Sequence, residues 1–286
     1  MREFCLKRNN MELSCAAFEC GAPSVCLQII HGCKEHKERY YPFAEYLCRK
    51  GCSVYISDLR GHGASVSASC PLGHMNGWKE LVDDQAALTC LISKRNPGIP
   101  VCLLGHSFGS MLARLYLKEN DRKITKLILT GTVPYYPASK PGTALGRLIS
   151  VYRKDTEYSP LLTAIGDNGF TDWSCENIFI REAFREDPLC SGYKYTLGAL
   201  KTVMDADLAL KEPAKALNHF LSILTANGSN DPVTGGRKGT ASVVKQLHAC
   251  GYTDVRQISY ERMSHEVLNE TGHDKVWRDF SGFLGL

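Results

Sequence analysis

The stretch Val101-Cys102-Leu103-Leu104-Gly105-His106-Ser107-Phe108-Gly109 decides the fold of this 286-residue chain. An apolar run of strand character leads straight into Gly-x-Ser-x-Gly, and behind it Met111, Leu112, Leu115 and Tyr116 fall at helical spacing. A strand that turns sharply into a helix around a serine is a nucleophile elbow: the turn lifts the hydroxyl above the sheet, and the flanking glycines allow close backbone approach. The following helix N-terminus favours negative charge developing beside it. The pattern alone is weak, since about 0.15 matches arise by chance at this Gly and Ser content. Its place between strand and helix gives it weight. The competing use of a strand-Gly-helix turn, a phosphate cradle, needs Gly-x-x-x-x-Gly-Lys-Ser/Thr, which the chain lacks.

Outward from the elbow, strand and helix signals alternate. Val25–Ile30, Ser53–Ser57, Lys126–Thr130, Phe220–Ala226 and Asp254–Tyr260 read as strands. Between and after them Tyr40–Lys50, Trp78–Lys94, Arg237–Cys250 and His273–Leu284 read as helices. Glu3–Lys7 and Leu13–Phe18 have no helix between them and read as an antiparallel hairpin at the edge. The expected class is α/β: an eight-stranded, mainly parallel sheet with helices on both faces. Residues 134–213 break the alternation, being helix-like and rich in aromatics that include Tyr136, Phe170, Trp173, Tyr193 and Tyr195. We expect an inserted helical cap at 134–213, with 1–133 and 214–286 forming the core. The cap aromatics have two readings, a small core of their own or the roof of an apolar pocket.

Composition narrows the function. A net charge of +4, with no block of like charges, gives no footprint for nucleic acid or an anionic membrane surface. No run approaches the roughly 18 apolar residues of a membrane span. The start of the chain, with Arg2, Glu3, Lys7 and Arg8, has no apolar signal-peptide core. Thirteen cysteines, an odd number with no Cys-x-x-Cys pair, sit mostly in apolar runs and read as reduced, buried thiols of a cytoplasmic protein rather than a disulfide or zinc framework.

A nucleophilic serine needs a histidine base and an acid, in the chain order Ser, Asp or Glu, His. After Ser107 come only His219, His248, His265 and His273. His219 opens the expected strand, His248 lies in a helix, and His273 starts the terminal helix as a solvated residue. His265 follows the last strand, where the loop opens at the carboxyl edge of the sheet. Asp231, in the turn-forming Asn227-Gly228-Ser229-Asn230-Asp231-Pro232-Val233, follows the preceding strand to the same edge. The expected triad is Ser107, Asp231 and His265. An oxyanion hole takes the N–H after the nucleophile and one from the early strand-helix loop, here Phe108 and Cys33. Cys33 enters through its backbone, since the elbow already supplies a nucleophile. Gly61-His62-Gly63 reads as a tight structural turn.

These residues resemble the α/β-hydrolase superfamily, in its monoacylglycerol lipase and lysophospholipase (serine aminopeptidase-like) branch. His31-Gly32-Cys33-Lys34-Glu35-His36 with Arg39-Tyr40 is similar to the branch's His-Gly-x-x-Glu-His-x-x-Arg-Tyr. Asp58 to Ser65 resembles its Asp-x-x-Gly-His-Gly-x-Ser turn, and Ser264 to Glu270 follows in order. Within the insertion, Asp172-Trp173 and Glu186 to Cys190 look like bacterial lysophospholipases. The resemblance implies a cap over a lipid-like acyl pocket. Cys33-Lys34 departs from the small residues common there, and the cap is short for the bacterial relatives.

The expected activity is two-step acyl transfer on a carboxylic ester of monoacylglycerol or lysophospholipid type, with no metal or organic cofactor. Tyr136, Tyr193 and Tyr195 are the candidate substrate contacts. Alternatives are a small-molecule carboxylesterase for short-chain or aryl esters, a peptidase or amidase, and a non-catalytic ligand-binding receptor on the same fold. The partner expected is a small-molecule or lipid ester.

Overall fold

Period-two burial builds the sheet. In β3 (Val25–Ile30) Cys26 and Ile30 face one layer while Val25, Leu27 and Ile29 face the other. In β5 (Val101–His106) Val101 and Leu103 divide from Cys102 and Leu104 in the same way. A computed structural model describes residues 1–9, 11–160, 173–212 and 215–286. The other strands are β1 (Arg2–Arg8), β2 (Met11–Phe18), β4 (Cys52–Ser57), β6 (Lys126–Thr130), β7 (Ser222–Gly228) and β8 (Val255–Tyr260). They join in the order β1-β2-β4-β3-β5-β6-β7-β8. The β1/β2 hairpin and its pairing to β4 are antiparallel, and every other pairing is parallel, as the sequence pattern predicts.

Helices cover both faces. On one side lie α1 (Tyr41–Arg49), presenting Phe43, Ala44 and Leu47, and the C-terminal helix His273–Leu284, presenting Val276, Phe280 and Leu284. The other side carries α2 (Trp78–Arg95), α3 (Phe108–Asn120) and the helix Gly236–Cys250. Each such buried aliphatic or aromatic side chain contributes about 1.5–3 kcal/mol, so two apolar layers hold the strand ends in place. One polar group sits inside: Gln28 bonds the Gln85 carbonyl and side chain at 3.0 and 2.9 Å and accepts from Thr89 at 2.7 Å. Its burial is thereby compensated.

Between β6 and β7 the described chain forms α4 (Ser139–Ser150), α5 (Ile178–Glu186) and α6 (Leu197–Leu210). The remaining helices are then α7 (Gly236–Cys250) and α8 (His273–Leu284). Helix α6, with no exposed residue, buries Ala199, Ala206 and Leu210 in the same cluster as α2 and α3. It packs on α4, α3 and α2. Phe170, Asp172 and the expected 213/214 boundary lie outside the described residues.

Two local expectations need correction. The strand expected at Phe220 begins at Ser222: Asn218 Oδ1 accepts the Phe220 N–H at 3.2 Å, closing a turn that leaves Phe220 94% exposed. His219 therefore precedes the strand, with Nδ1 3.1 Å from the Gly251 carbonyl. His273 is not simply solvated either, since its ring lies 4.4 Å from that of Trp277 and Nδ1 donates to Glu270.

Candidate active site

The loops after β3, β5, β6, β7 and β8 all emerge at the carboxyl edge of the parallel strands. At the centre, Ser107 has φ 54° and ψ −121°, a conformation that costs a residue with a side chain about 1–3 kcal/mol. Packing enforces it. A Cβ on Gly105 would come within 2.4 Å of the Gly109 carbonyl oxygen, and one on Gly109 within 2.2 Å of that of Ile30. Only glycines allow α3 to rise so close to β3 and β5. The Ser107 N–H donates to the Thr130 carbonyl at 2.9 Å, fixing the turn to the end of β6.

Asp231 and His265 meet directly. His265 Nδ1 donates to Asp231 Oδ2 at 2.8 Å, with both side chains fully buried. Asp231 is fixed by the turn that holds it: Oδ1 accepts the Val233 N–H at 2.9 Å, and its carbonyl accepts Thr234 Oγ1 at 2.9 Å. The two loops are sewn together, Ser229 N–H to Tyr260 and Asn230 N–H to Met263, each at 2.9 Å. Gly228 permits the approach, since a Cβ there would stand 2.1 Å from the Ser264 carbonyl oxygen.

His265 reaches the elbow through shared neighbours. Its ring centroid lies 4.7 Å from that of His106, the residue before Ser107. Gly131, directly after the Thr130 that holds Ser107, passes so close that a Cβ would be 2.6 Å from His265 Cε1. Trp173 meets the imidazole edge-on at 5.7 Å. Burial lowers the His265 pKa, but Asp231 first, and then Glu266 and Glu35, outweigh it and hold it above its ordinary 6.5. Burial drives His106 the other way, to about 3, helped by His265. The neutral His106 places Nδ1 3.0 Å from Thr130 Oγ1.

The loop after β3 lies against the elbow, where a Cβ on Gly32 would be 2.9 Å from Ser107 Cβ. Glu35 Oε2 accepts the Gly32 N–H at 2.7 Å and the Tyr40 hydroxyl at 2.9 Å. Among the described residues the Cys33 N–H has no partner. Phe108, at the first position of α3, is one of the helix residues whose N–H finds no intrahelical acceptor. Burial pushes the Cys33 thiol up to about 11, with the Tyr195 hydroxyl pulling it back, so little thiolate exists at neutral pH.

Glu35, Arg39 and Glu266 have a role that the sequence motifs alone do not reveal. Arg39 lies between the two carboxylates, Nε 3.3 Å from Glu35 Oε1 and Nη2 on Glu266, with all three side chains at most 10% exposed. This buried ion network ties the loop after β3 to the loop that carries His265. The i, i+4 spacing of Glu35 and Arg39 was its only signal.

The three cap tyrosines have different surroundings. Tyr136 donates its hydroxyl to the Val233 carbonyl, beside Asp231. Tyr193 is buried, with its ring 5.9 Å from that of Tyr195. The Tyr195 hydroxyl accepts the Lys34 N–H at 2.7 Å and lies 2.7 Å from His62 Nε2, so it is committed to the protein. His62 stands in a tight turn as expected, where Gly61 (φ 71°) and Gly63 (φ 49°) leave no room for a Cβ.

One group with metal-ligand chemistry occurs among the described residues, His36, Asp187 and Cys190. Asp187 accepts from His36 Nε2 at 2.7 Å and from the Leu189 N–H at 2.8 Å. Burial raises its carboxyl, but these donors outweigh that and hold it below the usual range. Hydrogen bonds account for the cluster. All thirteen cysteines are free thiols, and no helix of the described residues is long and apolar enough to cross a membrane.

Comparison with known proteins places the chain in a family and a fold. The family model for serine aminopeptidase, S33, matches residues 21–272. A monoacylglycerol lipase of Mycolicibacterium smegmatis is 24% identical over 266 residues, covering 92% of this chain and 88% of that one. The phospholipase YtpA of Bacillus subtilis is 26% identical over 273 residues, covering 91% and 95%. Among solved structures, a thermostable carboxyl esterase from Bacillus coagulans superimposes with a TM-score of 0.88 at 21% identity, over 99% and 97% of the two chains. A monoglyceride lipase from Saccharomyces cerevisiae gives 0.78 at 17%, over 98% and 94%. These two likenesses establish the fold. The chain belongs to the serine aminopeptidase S33 family of the α/β-hydrolase fold.

Proposed function

We propose that the chain is a serine hydrolase of carboxylic esters working through an acyl-enzyme. Ser107 attacks the ester carbonyl carbon, and His265 takes its proton and passes it to the departing alcohol. Asp231 orients the imidazole and stabilises its charged form. The N–H groups of Cys33 and Phe108 receive the developing oxyanion, each donor being worth about 2.7–4 kcal/mol in such a site. Water, deprotonated by the same histidine, then releases the acid. The buried 2.8 Å contact between His265 and Asp231, at the sheet edge that carries the strained Ser107, supports this reading most.

The substrate we infer is a monoacylglycerol or lysophospholipid, with residues 134–213 acting as a cap over its acyl chain. The names of the M. smegmatis and B. subtilis relatives support this, as do Leu148, Val151, Tyr152 and Phe179, all exposed apolar side chains of that segment. The free thiols support a cytoplasmic setting. A small-ester carboxylesterase is the second reading, favoured by the likeness to the B. coagulans esterase.

Turnover of p-nitrophenyl esters of rising chain length separates the two. A preference for decanoate over butyrate is expected, and the reverse order would sink the lipid assignment. Faster cleavage of aminoacyl p-nitroanilides than of any ester would turn the reading to a peptidase. A folded protein inactive on all of them would leave only a binding role.

A further inference from the structure

Three backbone groups of the loop after β3 are pinned by side chains. His31 Nδ1 donates to the Gly32 carbonyl at 2.8 Å, while its Nε2 accepts the Leu59 N–H at 2.9 Å. Glu35 takes the Gly32 N–H and Tyr195 takes the Lys34 N–H. Between them stands the Cys33 N–H, with no partner among the described residues. Lys34 itself has φ 54°, a left-handed conformation that a residue with a side chain resists. Something has to hold it there.

Hydrogen-bond logic identifies the holder. His62 Nδ1 lies 3.0 Å from the Arg60 carbonyl oxygen, which can only accept, so Nδ1 carries the proton and Nε2 is an acceptor. The Tyr195 hydroxyl, 2.7 Å from that Nε2, therefore donates to His62 and offers a lone pair to the Lys34 N–H. Burial lowers His62 to about 4, which keeps it a neutral acceptor at ordinary pH.

We propose that Tyr195 and His62 are positioning residues for the transition state. Their relay from the Lys34 N–H through the Tyr195 hydroxyl to His62 Nε2 holds Lys34 left-handed and so aims the Cys33 N–H at the oxyanion. The inference rests on the assignment of Ser107 and the Cys33 amide made above. Tyr195 precedes α6 in the segment between β6 and β7, and His62 follows β4. The segment proposed as a cap thus also reaches into the chemistry through one hydroxyl.

Tyr195→Phe removes that hydroxyl and keeps the ring packed at 5.9 Å on Tyr193 and 5.7 Å on His62. On a p-nitrophenyl ester, kcat should fall on the order of tenfold with KM within about twofold, the signature of an interaction made only in the transition state. A trifluoromethyl ketone, which forms a serine hemiketal oxyanion, should lose affinity by the same factor. In a His62→Phe background the Tyr195→Phe effect should shrink, because the two residues act as one unit. Unchanged kcat and ketone affinity in Tyr195→Phe, beside an inactive Ser107→Ala, overturn the positioning role alone. Full activity in Ser107→Ala overturns the hydrolase reading on which it rests.

Discussion

The two loops that flank the candidate nucleophile are held by different physics. The elbow at Gly105–Gly109 is a steric object, in which missing Cβ atoms let α3 rise so close to β3 and β5 that Ser107 has one conformation left. The loop from His31 to Tyr40 is an electrostatic object. Lys34 is also strained, at φ 54°, but hydrogen bonds to Glu35 and Tyr195, one from His31 and the Arg39 ion network hold the loop. Close packing yields abruptly when one atom is added. Hydrogen-bonded charge yields by degrees, with pH and with the loss of single partners.

Gly109→Ala attacks the steric side and should have the largest effect. Its Cβ would sit 2.2 Å from backbone oxygen that cannot swing away. Overpacking of this kind costs about 1–3 kcal/mol or more, and because it shifts Ser107, esterase activity should vanish while a weakened thermal transition remains. Retention of activity would mean that the elbow is softer than its glycines imply.

Asp231→Asn attacks the charge side. It should lower kcat on the order of 10⁴-fold at neutral pH, by analogy with the loss of the orienting carboxylate in other serine triads. Stopped-flow assay on an activated ester would measure it, and a loss under tenfold would contradict the role given to Asp231. Arg39→Ala leaves Glu35 and Glu266 buried without their counter-charge, which should cost about 3–5 kcal/mol in urea unfolding. A loss under 1 kcal/mol would show that water replaces the guanidinium.

The smallest effect is a shift along the pH axis. His265 acts as a base, so activity needs its neutral form and rises with pH through the folded-state pKa, which the structure holds above 6.5. The acid limb of kcat/KM should therefore have its midpoint above 6.5. The same shift carries the opposite sign for stability. A raised histidine contributes stability that is fully present below its unfolded value and is lost as pH rises through the folded one. An acid-limb midpoint below 6 would mean that burial outweighs Asp231.

This division also explains what was legible in the sequence. Gly105, Ser107 and Gly109 lie within five residues, and the strand before and helix after them can be read by period, so both the elbow and the mainly parallel class of the sheet were plain. His265 and Asp231 followed from chain order and from the strands that carry them. The support of the early loop was hidden because its partners are far away in the chain: Tyr195 stands 161 residues from Lys34 and Glu266 stands 227 from Arg39. No periodicity encodes a contact that depends on how an insertion folds back. Tyr195 was thus expected to contact substrate when its hydroxyl is spent on the protein. Phe220 misled for a similar reason, because hydropathy extended the strand and only the Asn218 turn cuts it short.

The central claim is a covalent acyl intermediate on Ser107. Mixing the enzyme with a p-nitrophenyl ester, quenching in acid within the first turnover and mapping the peptides by mass tests it directly. One acyl group per chain is expected on the peptide that contains Ser107. Product release with no adduct on that peptide, or an acyl group on Cys33 in its place, would contradict it.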